Sequence, residues 1–198
     1  MNLSATDVVS FWTESGPEKW YAKDDAFDQA IRDRFGAAWQ AAHDGTLPDW
    51  ATDAPSALGL VLLLDQFPRN MFRDDPRAFA TDARALQVSG QMVAQGWDRQ
   101  ISGAMRQFVY MPYMHSEDMA HQDICVDLME TRMPETDPTG NNGIHARVHR
   151  EIIARFGRFP YRNDALGRET TPAEREFLET GGYKAILQEL QGNPDGDA

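Results

Sequence analysis

A single cysteine, Cys125, stands among 198 residues, so no internal disulfide framework can form, as befits a reducing compartment. Long apolar runs are missing too. The longest, Leu58 to Leu64, falls far short of the ~20 residues that cross a bilayer, and Met1 to Asp7 has neither the basic region nor the apolar stretch of a secretory signal. A cytoplasmic protein with no membrane partner is expected. Basic residues are in deficit, 19 Lys and Arg against 31 Asp and Glu, for a net charge of -12 spread along the chain. Repulsion from phosphate argues against a nucleic-acid partner, and no basic run or zinc-knuckle spacing opposes that argument. Gly-rich phosphate loops, dinucleotide fingerprints and nucleophile elbows are absent. No segment alternates like a strand between hairpin turns.

What is present is helical periodicity. Ser4 with Asp7 caps a first helix over residues 4–14, whose packing face is Val8, Val9, Phe11 and Trp12, and Gly16-Pro17 breaks it. Phe27, Ile31, Phe35, Ala38, Trp39 and Ala42 recur at a 3.6-residue period over 25–43. Residues 55–67 are apolar on every side, which places that helix centrally. Further helices are expected from Pro76, capped by Asp75, to Gly96, over 102–111 before Pro112, from Ser116 to Arg132 with Ile124, Cys125, Leu128 and Met129 facing inward, and over 144–156. Met133 to Gly143 reads as a surface loop. Thr171, Pro172 and Glu174 form a capping box for an eighth helix ending at Gly181-Gly182, and a short ninth precedes a disordered tail, 193–198. The expectation is one all-α domain over residues 1–192.

One phrase occurs twice, as Phe67-Pro68-Arg69-Asn70 and as Phe159-Pro160-Tyr161-Arg162-Asn163, each after an apolar helical run. Both copies are expected to be Pro-containing loops carrying arginines, Arg69 and Arg73 in the first and Arg158, Arg162 and Arg168 in the second. Helix, loop and helix repeated in this way point to stacked antiparallel helical hairpins, an array of about eight or nine helices with its loops along one edge.

Three places concentrate polar chemistry. Asp65 and Gln66 close the apolar third helix, where the helix dipole disfavours a bare carboxylate, so Arg69 or Arg73 is expected to compensate Asp65; a structural ion pair fixing the loop is the plainer account of this. His145 and His149 lie one turn apart beside the apolar stripe Ile144, Val148, Ile152 and Phe156. The residues between them, Ala146, Arg147 and Val148, lack the glutamate of a metalloprotease helix. Glu117, His121 and Gln122 fall on or beside the inward face of the sixth helix, just after the turn Tyr110 to Glu117, which mixes aromatic, thioether and ionisable groups. That turn can line a small-molecule pocket or simply satisfy backbone at a helix junction. His115, Glu117, His121, His145 and His149 are numerous enough for a metal, but spacing does not make them converge, and no metal or cofactor is assigned. Cys125, inside a helical pattern, reads as a small core residue.

At these residues the chain resembles a bacterial family, domain of unknown function 924, placed in the tetratricopeptide-like helical superfamily. The resemblance spans nearly the whole chain. It is carried by Phe11-Trp12, Trp20-Tyr21, Leu64 through Phe67-Pro68-Arg69-Asn70 to Arg73, Tyr110 through Pro112 to Glu117, and Phe156 through Asn163 followed by Leu166-Gly167-Arg168. It implies a stack of helical hairpins and no particular reaction. The family's usual pattern has histidine where this chain has Tyr161, which implies that position 161 is no obligatory proton donor or metal ligand.

The leading expectation is a helical-repeat protein binding a small anionic carboxylate or phosphate where three segments meet. The residues assigned to that cleft are Asp65, Gln66, Arg69, Asn70, Arg73, Tyr110, His115, Glu117, His149, Arg158, Arg162, Asn163 and Arg168, since arginine forks suit such anions. The alternatives are an enzyme with His115 or His149 as base and Glu117 or Asp65 orienting it, and a scaffold holding a peptide on a concave face. Oligomeric state is not legible.

Overall fold

Side-chain caps set the helix starts. The Ser4 hydroxyl accepts the Asp7 N–H while the Asp7 carboxylate accepts the Ser4 N–H at 2.9 Å, opening α1, Ala5–Ser15. A short α2, Pro17–Trp20, follows the Gly16 break. Asp24 caps α3, Asp25–His43, through the N–H groups of Ala26 and Phe27. Asp53 caps α4, Ala54–Val61. These local bonds satisfy the N–H groups a helix start leaves over. The structure, a computed structural model, describes residues 3–133 and 141–192. Most of the expected Met133–Gly143 loop and all of the 193–198 tail lie outside the described residues.

The expected stop at Phe67-Pro68 does not occur. After α4 the backbone passes through a π-helical segment, Leu62–Gln66, and continues as α5, Phe67–Met71. Pro68 has no N–H to give and crowds the carbonyl four residues back. Widening the turn relieves that crowding, and the Phe67 N–H pairs five residues back with the Leu62 carbonyl. Pro112 likewise lies inside a helix, α7, Gln107–Met114, rather than ending one. Asp75-Pro76 opens only a 3-10 turn, Pro76–Phe79, ahead of α6, Asp82–Ala94.

Every described element is a helix or turn, so the fold class is all-α. The chain divides into two compact units, residues 1–112 and 113–198. In the first, α1 packs on α4, α3 on α5 and α4 on α6. Leu60 to Leu64 are at most 1% exposed, as their apolar surroundings on all sides require. Trp12, Phe35, Phe67 and Phe108 are fully buried among Phe11, Trp20 and Phe27, with ring centroids 4.8–6.2 Å apart.

In the second unit α8, Met119–Arg132, packs along α9, Asn142–Phe156, and α9 packs against α11, Tyr183–Gly192; α10, Pro172–Glu179, lies against a 3-10 turn at Pro160–Arg162. Val148, Ile152, Ile153, Phe159, Phe177 and Ile186 form its core. Two expectations for α8 need correcting. Its N-cap is Asp118, not Ser116. Ile124 is exposed, because the buried face holds Gln122 instead. The Gln122 amide donates to the carbonyls of Met114 and Ser116 at 2.8 and 2.6 Å, capping the end of the preceding helix.

Candidate functional site

The candidate residues divide between the units. In the first, Asp65 is fully buried, and Arg69 answers it from one turn on at 3.3 Å, as the dipole argument requires. Arg69 also grips Asp82 with both ends of its fork, at 3.0 and 2.9 Å. Arg73 does not reach toward Asp65: its fork closes on buried Asp28, which also accepts the Asn70 amide at 2.8 Å. Burial raises the Asp28 carboxyl, but Arg73 and Asn70 outweigh it and hold the group below its ordinary range. Gln66 spans Asp65 and the Met111 sulfur. Tyr110 is wholly buried, and its hydroxyl donates to Asp98 at 2.7 Å. These residues tie helices together through buried, multiply bonded charges.

In the second unit the repeated phrase takes another form. Gly157 ends α9 in the left-handed conformation, at φ 67°. Phe159 is then extended and Pro160–Arg162 forms the 3-10 turn. Arg158 and Arg168 flank this turn, each with its fork on one carboxylate. Arg158 holds Glu174 at 2.6 and 2.8 Å. Glu174 also completes the α10 capping box and accepts the Asn163 amide at 3.3 Å; Arg158 above all brings its carboxyl down to about 2. Arg168 holds Glu117 at 2.7 and 3.0 Å, and the Phe159 N–H donates to the same carboxylate at 2.8 Å. Burial opposes the Glu117 charge, and Arg168 and Phe159 together overcome it. Glu117 makes no hydrogen bond to a histidine among the described residues.

Between those two clamps lies a cluster of rings. Arg162 is buried and stands 4.4 Å over the Phe159 ring. Tyr161, 45% exposed, stacks on Phe159 at 5.3 Å. His149 meets Phe159 edge-on at 5.6 Å, His115 at 6.4 Å and Tyr183 at 5.3 Å. Tyr183 stacks on His145 and exchanges a hydrogen bond with its Nδ1. His149 Nδ1 lies 2.8 Å from the His145 carbonyl. Burial is the main reason the His149 ring titrates low, at about 3, and His115, Arg162 and His145 add electrostatic opposition to a proton there. At neutral pH His149 is therefore neutral. Among the described residues no group of three or more His, Cys, Asp or Glu is arranged to hold a metal ion.

Residues 8–182 match the family described as bacterial proteins of unknown function, DUF924. The chain belongs to this family. A solved structure of a protein of unknown function from Agrobacterium tumefaciens is 46% identical, with a TM-score of 0.83 over 89% of this chain and 97% of that one. No curated protein matches. DUF924 membership thus names no reaction, and the functional reading rests on the side chains.

For this DUF924 chain, sequence reasoning missed Tyr183, whose ring touches both α9 histidines. The only pointer was its place after Gly181-Gly182, where a new helix begins. It also missed Asp28 and Asp82 as the carboxylates that engage Arg73 and Arg69, because nothing in spacing links partners 45 and 13 residues apart. Glu174 was legible as a cap but not as the partner of Arg158. No helix is long and apolar enough to cross a membrane among the described residues.

Proposed function

We propose that this chain binds a small anionic molecule, a carboxylate or phosphate, at the ring cluster of the second unit around Arg162 and His149. One observation carries this reading: buried Arg162 stands over the Phe159 ring, against which neutral His149 packs edge-on, within a chain of net charge -12. A half-exposed tyrosine stacked on Phe159 gives such a ligand an aromatic edge to lie against. Arg69, Arg73, Arg158 and Arg168 each place a fork on an internal carboxylate. An acid–base enzyme has weaker support: Glu117 is committed to Arg168 and Phe159, and a ring titrating near 3 is a poor base at neutral pH.

The test is a thermal-shift titration with inorganic phosphate and a panel of small carboxylates, because a ligand preferring the folded state raises its melting temperature. A saturable rise in wild type, lost in Arg162→Gln and reduced in Tyr161→Ala, is expected. Equal shifts in all three proteins overturn the assignment.

A further inference from the structure

We propose that Asn142-Gly143, at the start of α9, is a spontaneous deamidation site whose isoaspartyl product breaks the first turn of the helix that carries His145 and His149. The proposal is independent of the anion-binding reading above.

Six asparagines occur in the chain, and Asn142 is the one followed by glycine. A following glycine leaves the backbone free to reach conformations that a side chain forbids, among them the one that turns the next peptide nitrogen toward the asparagine side chain. Asn70 and Asn163 are followed by Met71 and Asp164, are at most 5% exposed, and have amides that donate to Asp28 and Glu174. Asn142 is partly exposed and stands in the first helical turn. Peptide N–H groups of a first turn precede the helical ladder, so that of Gly143 has no acceptor within α9. Side chains of Ser4, Asp24, Asp53 and Thr171 cap α1, α3, α4 and α10. Among the described residues the Asn141 side chain makes no such capping bond to α9. A helix start without that bond frays at little cost.

The reaction consumes only water. The Gly143 backbone nitrogen gives up its proton and attacks Cγ of Asn142. The N–Cγ bond forms, the Cγ–Nδ2 bond breaks, and the leaving nitrogen takes a proton and departs as ammonia. Water then opens the resulting ring imide at either carbonyl. Opening at Cγ gives aspartate, and opening at the backbone carbonyl gives isoaspartate, with the main chain now running through the β-carbon. Each product carries one new negative charge.

The two products act on α9 in opposite senses. The His145 N–H donates to the Asn141 carbonyl at 3.2 Å, and that bond spans residues 142 and 143. An isoaspartyl link inserts an extra main-chain carbon inside the bonded turn, which then no longer closes as an α-helix. His145 in turn shares a hydrogen bond with Tyr183 of α11, so the break reaches the next helix. The aspartyl product keeps the turn and puts a carboxylate at the helix N-terminus, where the dipole favours it.

The test is incubation of the full chain at mildly alkaline pH in oxygen-labelled water, followed by peptide mapping with electron-transfer fragmentation to separate the two products. Label is expected at residue 142 in both forms, at a rate that rises with pH and lies within about tenfold of the rate in urea, as a fraying helix end allows. A Cβ at position 143 would meet only the Glu130 side chain, at 3.4 Å. Gly143→Ala is therefore expected to fold, as a melting curve checks, and to react about tenfold or more slowly. An Asn142 that stays intact in the folded chain while the urea-unfolded chain reacts overturns the site. Equal rates in wild type and Gly143→Ala overturn the glycine-assisted route. The isoaspartyl form, isolated by ion exchange, is expected to lose hydrogen-exchange protection at the His145 amide, whereas Asn142→Asp keeps it. Unchanged protection in the isoaspartyl form overturns the break in α9.

Discussion

The Thr81 hydroxyl donates to the Leu64 carbonyl at 2.5 Å, four residues before Pro68. That carbonyl is the one that a regular helix would pair with the N–H of residue 68, which proline lacks. Thr81 is buried, and its oxygen also accepts the Trp39 indole N–H at 3.2 Å. A side chain from just before α6 thus completes the backbone accounting of the π-helical segment. Thr81→Val keeps the shape and removes both bonds, so it is expected to cost about 1–3 kcal/mol. Thr81→Ser is expected to recover most of that. Urea unfolding with an unchanged slope is the measurement.

Gly59 sits where α4 crosses α1. A Cβ there would lie 2.5 Å from the Ala5 carbonyl oxygen and 2.9 Å from the Ala5 Cβ. Neither is a flexible tip that can swing aside. Gly59→Ala is therefore expected to destabilise by about 1–3 kcal/mol through overpacking, although alanine is the better helix former by about 1 kcal/mol. Gly36 in α3 has nothing within 4 Å of its Cβ position. Gly36→Ala is expected to be neutral or to stabilise by up to about 1 kcal/mol. Melting temperatures of the pair separate propensity from contact.

Acid should weaken the fold in two stages. His149 titrates at about 3 against an ordinary value of 6.5, so the unfolded chain takes up its proton first. Stability is complete above pH 6.5 and falls as pH drops from 6.5 toward 3, by at most about 1.4 kcal/mol per unit. Glu174 titrates at about 2 against 4.5. Its contribution is complete above pH 4.5 and is lost as pH falls toward 2. Denaturant unfolding at intervals of pH is expected to show the upper slope reduced in His149→Gln and the lower one reduced in Glu174→Gln.

Cys125 is fully buried, and burial pushes its thiol up to about 12. The thiolate is the reactive form. Alkylation by iodoacetamide at pH 8 is expected to be slow in the folded protein and to rise to the rate of a free thiol in urea. Fast labelling without denaturant contradicts the core placement.

The capping boxes at Ser4 and Thr171 were legible because their partners lie three residues away, and so was the Asp65–Arg69 pair at four. The Phe-Pro phrase misled because equal words meet unequal neighbours. Gly157 precedes the second copy and turns the chain, whereas Gln66 precedes the first and lets the helix run on. Pro68 is tolerated through Thr81, 13 residues away, and no periodicity marks such a partner. At the site, the residue types were legible but their commitments were not. Which carboxylate an arginine engages depends on residues such as Asp28, Asp82 and Glu174 that the fold brings to it.

Under the anion-binding proposal, the paired forks would also affect how an anion arrives. A guanidinium held on a carboxylate is nearly silent at long range, and at physiological salt fields decay over about 8 Å. Under that proposal an incoming anion would feel the chain's charge of -12 well before it reached the ring cluster. Approach is slowed by like-charge repulsion, and added salt relieves that repulsion. Capture and retention of such a ligand would thus respond to ionic strength in opposite senses, with faster encounter and looser hold as salt rises.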